Sequence, residues 1–142
     1  MKYIIILISI IILNYDINAQ NNQDIDSNTV FTLVERMPNF ISGNNKIGAY
    51  VTNNFDFSKT YKIEKCFYKI IVDKTGSVSE IVKLKGDNNN EMQLTEIFKK
   101  PEFKWTVATQ NGRKVNVYVL LTVTINKNLI DVGTNTPQIH SK

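Results

Sequence analysis

A chain of 142 residues with a hydrophobic fraction of 42% fits one domain with a single modest core. The net charge of +4 is mild and its basic residues are scattered, so no nucleic-acid footprint is indicated. One cysteine, Cys66, excludes an intramolecular disulfide framework and any cysteine-built metal site.

Lys2 is followed by an apolar run from Tyr3 to Leu13, interrupted only by Ser9, and then by polar Asn14 to Ala19. This is the layout of a secretory signal peptide over 1–19, with Gln20 as the first mature residue. Eleven helical residues span only about 16 Å, roughly half a bilayer's hydrocarbon core, so cleavage is expected and not anchoring. Ile17 departs from the small residue usual two positions before a cleavage site. Residues 20–29 are polar and amide-rich and predict a disordered arm.

The folded domain is expected over 30–130, with a flexible tail over 131–142. Thr29 to Val34 read as a short strand or extended arm, ended by Met37-Pro38. Ser42 caps an expected helix from Gly43 to about Asn53, with Ile47, Tyr50 and Val51 on one face. Cys66, Tyr68, Ile70 and Val72 alternate with Phe67, Lys69 and Ile71, the period of a strand. Asp73-Lys74-Thr75-Gly76 then turns the chain into a second strand, Val78 to Lys85. Asn90 and Gln93 predict a capping box for a helix to about Lys100, with Leu94, Ile97 and Phe98 buried and Pro101 as its stop. After Trp105 and the turn Asn111-Gly112 comes the longest strand. Val115, Val117, Val119, Leu121, Val123 and Ile125 point one way; Asn116, Tyr118, Leu120, Thr122 and Thr124 point the other. The expected fold class is α+β: a small antiparallel sheet of about three strands with two helices packed on one face.

Little in the chain advertises catalysis. The one histidine, His140, lies in a polar tail, and no close carboxylate pair sits at an element end. Asp87-Asn88-Asn89-Asn90-Glu91 has oxygen donors for calcium, but it reads better as a solvated loop capping a helix. Cys66, on the apolar side of its strand, reads as a small core residue. No enzyme activity, cofactor, metal or small-molecule substrate is expected. The strand from Val115 to Ile125 has no proline, glycine or charge, the usual devices that blunt an edge. As an edge it suits addition of an extended peptide, which makes all eleven of its residues candidate partner-binding residues. A central place in the sheet, or pairing within a homodimer, is the alternative.

Cys66-Phe67-Tyr68-Lys69-Ile70-Ile71-Val72-Asp73-Lys74-Thr75-Gly76-Ser77-Val78 resembles the hairpin of the TonB C-terminal domain, in which an apolar strand runs into Val-Asp-x-x-Gly-x-Val. A helix (Glu91 to Lys100), Trp105, Asn111-Gly112 and the valine-alternating Val115 to Ile125 follow in the family's order. Val34-Glu35-Arg36-Met37-Pro38-Asn39-Phe40 is similar to the family's lead-in, so the likeness covers about 34–125. It implies a periplasmic domain whose last strand pairs with a segment of an envelope protein, a TonB-dependent outer-membrane receptor being the family's partner. Val107 and Thr122 stand where the family has prolines, and Ile41-Ser42-Gly43 replaces a Pro-Gly-Gly-like helix entry. A force transducer of this kind also needs a membrane anchor and a long Pro-rich spacer. With a signal peptide and about ten polar residues ahead of the domain, an untethered binding module is expected; the alternative is a transducer whose apolar start stays in the membrane.

Overall fold

The computed structural model describes residues 26–59, 62–87 and 89–135. The expected signal peptide, most of the expected arm and residues 136–142 of the expected tail lie outside the described residues. Strands β1 (Val30–Phe31), β2 (Glu64–Val72), β3 (Val78–Lys85), β4 (Ala108–Gln110), β5 (Arg113–Ile125) and β6 (Ile130–Asn135) form one mixed sheet. Helices α1 (Ile47–Asn54) and α2 (Glu91–Phe98) contribute their buried residues to the core on one side of it.

The β2–β3 hairpin forms where its alternation predicts. Asp73 organises the turn: its carboxylate accepts from the Thr75 N–H (2.7 Å), the Thr75 hydroxyl (2.6 Å) and the Ser77 N–H (3.1 Å). Burial works to raise its pKa, but these hydrogen bonds and nearby Lys104 outweigh it and hold the carboxyl below its ordinary value. The β4–β5 hairpin closes on Asn111 (φ +51°) and Gly112 (φ +71°), the two successive positive φ angles of a tight I′ turn.

The helices are shorter than expected. A 3₁₀ turn over Asn44–Lys46 precedes α1, which packs Ile47 and Val51 inward. The expected capping box at α2 does not form. Asn90 is fully buried, and its amide donates to the Lys62 carbonyl (3.1 Å) and to Glu64 Oε1 (2.8 Å). Gln93 instead accepts from the Asp56 N–H at 3.0 Å, so tertiary partners take both side chains away from the helix end.

Beneath the sheet, Phe40, Tyr50, Phe98, Phe103 and Trp105 form a chain of ring contacts with centroids 5.1–5.8 Å apart, and Tyr68 joins it edge-on through Phe98. This geometry adds about 0.5–1.5 kcal/mol per pair beyond area burial.

The expected sheet of about three antiparallel strands with two packed helices is corrected: among the described residues the sheet has six strands, it is mixed, and it curls into a half-barrel with only two short α-helices. β1 runs parallel to β5, with Val30 opposite Asn116 and Phe31 opposite Val117. β6 folds back antiparallel on β5, pairing Ile130 with Ile125 through Asn135 with Leu120. Residues 131–135, expected in the tail, are thus ladder residues. Two- and three-residue strands carry too little period to be read, and β6, Ile-Asp-Val-Gly-Thr-Asn, holds the residues that usually mark loops.

Candidate functional site: the sheet edges and the open face

β5 is not an edge. β2 pairs along one side of it from Glu64–Ile125 to Val72–Val117, and β1 and β6 lie along the other. Of the eleven expected partner-binding residues, Val115, Val117, Val119, Leu121, Val123 and Ile125 are buried in the core. Asn116, Tyr118, Thr122 and Thr124 are half-buried on the opposite face, and Leu120 is 41% exposed there. The Asn116 side chain is engaged within the chain, accepting from the Lys74 N–H (3.2 Å) and donating to the Ser27 carbonyl (3.2 Å). Addition of a peptide along the whole of 115–125 would have to displace both β1 and β6.

The outer side of β6 is covered by α1 at Ile130 to Val132. The Thr52 hydroxyl accepts from the Ile130 N–H (2.8 Å) and donates to the Ile130 carbonyl (3.2 Å). Gly48 brings α1 so close that a Cβ there would sit 2.7 Å from the Ile130 oxygen. β3 differs. It pairs with β2 on one side, and among the described residues no strand pairs with it on the other. Its eight residues contain neither proline nor glycine.

Register places Phe67, Lys69, Val82, Leu84, Tyr118 and Leu120 together on the face away from the helices, half-buried or exposed. Lys65 Nζ lies 5.6 Å from the Phe67 ring centroid, and Lys69 Nζ lies 4.6 Å from that of Tyr118. A concavity of about 280 Å³ opens there, lined by Thr32, Lys69, Tyr118, Leu120 and Asn135. A second, of about 550 Å³, is lined by residues including Arg36, Asn39, Thr106 and Lys114. Sequence reasoning passed over Lys69. Its signal was a period-two row of lysine and aromatic residues, Lys65, Phe67 and Lys69, facing away from the core.

A buried polar group lies where β2 meets the start of α2. Glu64 Oε2, Tyr68 Oη and Asn90 Oδ1 are buried there without a hydrogen-bond partner. In the loop weighed for calcium, Lys83 Nζ supplies the positive charge, reaching Glu91 Oε2 at 2.6 Å and the Asp87 carbonyl at 3.1 Å. Among the described residues no group of three or more His, Cys, Asp or Glu side chains suits a metal ion. Burial, followed by hydrogen bonding to Glu64 and its charge, pushes the Cys66 thiol up to about 12 from an ordinary 9.0. Tyr68 is also raised, by burial first and then by the charges of Cys66, Glu91 and Glu64.

Both shifts favour the protonated side chain in the fold. Their contribution to stability is therefore complete below about pH 9, where the unfolded thiol begins to ionise, and is lost as pH climbs towards 12. Cys66 is expected to resist maleimide in the native protein at pH 8 and to react fully in urea, with the urea midpoint falling between pH 9 and 11. Rapid native labelling, or a midpoint flat across that range, would contradict the burial argument.

Compared with known proteins, the chain matches no family model, no curated protein and no solved structure.

Proposed function

We propose that this chain is an exported envelope binding module, not an enzyme, that takes an extended segment of a partner protein by strand addition at β3. The observation that carries the reading is the outer side of β3, an eight-residue strand without proline or glycine with which no strand pairs there among the described residues, set against β6, whose outer side meets α1 at Ile130 to Val132. β3 carries three charges: Lys83 is drawn to Glu91 in an ion pair and its side chain is only 12% exposed, whereas Glu80 and Lys85 are exposed and favour a partner segment that complements them. Main-chain hydrogen bonds would supply affinity, and alternate partner side chains would lie beside exposed Leu84 and half-buried Val82. Export rests on the order of Lys2, the apolar run from Tyr3 to Leu13 and Ala19. The likeness of 34–125 to the TonB C-terminal domain supports an envelope partner, with TonB-dependent receptors as the first class to test. Pairing moves from the strand that the likeness designates to β3, because β5 is flanked on both sides.

The test is photo-crosslinking in cells from p-benzoylphenylalanine placed at Glu80, at Leu84 or at Asp131 on β6. Cross-links from both β3 positions to an extended segment of one envelope protein, and none from Asp131, are expected. Equal capture from all three sites, or none from β3, would sink the reading. A β3-to-β3 cross-link between two copies would replace it with a homodimer joined through paired edges.

A further inference from the structure

We propose that the concavity beside Tyr118 and Leu120 is a second, separate binding site, for an acidic–apolar peptide segment that lays an aromatic side chain on Tyr118 and Leu120 and a carboxylate on Lys69. It does not depend on the β3 reading, because its lining comes from Thr32, β2, β5 and β6 and includes no residue of β3.

The site arises from an interruption in the sheet. On the side of β5 away from β2, β1 pairs as far as Val117 and β6 only from Leu120 onward. Tyr118 and Val119 have no strand partner on that side among the described residues. Thr32, just past β1, and Asn135, at the end of β6, form the rims of the interval. Two residues of a passing chain fit such an interval, and unpaired strand backbone selects an extended peptide over other ligands.

The lining selects the chemistry. Lys69 stands directly across from Leu120 in the ladder, and its ammonium lies 4.6 Å from the Tyr118 ring centroid. That ring is its charge partner: among the described residues Lys69 makes no ion pair, and none of the residues lining the concavity is acidic. Glu80 and Asp131 share the open face, but they stand opposite Ile71 and Thr124, outside the concavity. A cation with an aromatic face on one side and solvent on the other is completed by a carboxylate, which adds a charge-assisted hydrogen bond without removing the ring contact. The floor of Tyr118 and Leu120 is apolar, and about 280 Å³ is close to the smallest volumes that hold small ligands. In an extended segment residues i and i+2 face the same way, so an aromatic residue and a glutamate two apart reach floor and cation together.

The test titrates the full chain, labelled with ¹⁵N, with acetyl-Thr-Phe-Thr-Glu-Thr-amide and with its counterpart carrying Lys in place of Glu. Shifts are expected at Thr32, Lys69, Tyr118, Leu120 and Asn135, with the Glu peptide bound more tightly. Lys69→Met keeps the apolar stem and is expected to weaken the Glu peptide about tenfold. Lys65→Met removes the same charge from the same face outside the concavity and is expected to change nothing. Leu120→Asp, at an exposed position, is expected to abolish binding with the amide spectrum retained. The proposal is overturned if millimolar Glu peptide moves none of these resonances, if both peptides bind equally, or if Lys65→Met weakens binding as much as Lys69→Met. Binding that emerges only after removal of residues 136–142 makes the chain's own continuation the occupant, and overturns it equally.

Discussion

Replacing Gly76 with valine is expected to lower the stability of this protein by about 3–5 kcal/mol, a large part of what a domain of this size has to lose. Gly76 holds φ at +78°, a left-handed conformation that costs an L-residue roughly 1–2 kcal/mol. A larger penalty comes from space. A Cβ at this position would overlap the Trp105 carbonyl oxygen, while the Trp105 N–H donates to the Gly76 carbonyl at 2.9 Å. Two backbones meet there, so no rotamer change can relieve the contact. Trp105 is buried among Phe40 and Phe103, and the aromatic core would have to shift with it. Gly112→Ala separates the two contributions. Gly112 has φ +71° and nothing within 4 Å of an added Cβ, so only the conformational cost of about 1–2 kcal/mol is expected. Urea unfolding of both variants provides the check. Equal losses would mean that the approach of Trp105 to Gly76 carries no energetic weight.

Ile130→Ala is expected to cost about 3 kcal/mol, although residue 130 stands where the sequence reads as the last position before a tail. Its side chain is buried, and its residue pairs with Ile125 in the ladder. Thr52 holds both of its backbone groups, so the backbone stays in place and a cavity remains where the side chain was. Leu129→Ala, one residue earlier and 56% exposed, is expected to fall within about 0.5 kcal/mol of the parent. The pair distinguishes a structural β6 from a loosely attached one. If Ile130→Ala behaves like Leu129→Ala, β6 detaches readily, and β5 regains an open side along Leu120 to Ile125, where strand addition could begin.

The functional reading turns on this point. An uninterrupted, uncharged strand such as Val115 to Ile125 has the same composition whether one side is open or both are filled. Its alternation reports which side chains enter the core, and those six residues are buried as the period requires. Hydrogen bonding along a strand lies in the plane of the sheet, perpendicular to the side chains, and leaves no mark in that period. The edge assignment therefore failed where the core assignment held. Asn90 is a similar case at a helix end. Its position three residues before Gln93 fits a local cap, and the fold uses both side chains for contacts 26 to 37 residues away instead.

Residue order alone specified the local pieces. These were the β2–β3 hairpin turning at Asp73 to Gly76, the turn at Asn111-Gly112, the buried face of α2 and the inward row of β5. Each depends on residues within a few positions of one another, through side-chain period or the φ freedom of a turn. Long-range packing set the rest: β1 and β6 flank β5, α1 meets the outer side of β6 at Ile130 to Val132, and among the described residues no strand pairs with the outer side of β3. It alone brought Lys69 over Tyr118 at the interruption between two strands that lie a hundred residues apart in the chain. Those features rest on which strands meet, and strand partnership is settled by burial and backbone hydrogen bonding summed over the whole sheet, not by any one segment's composition.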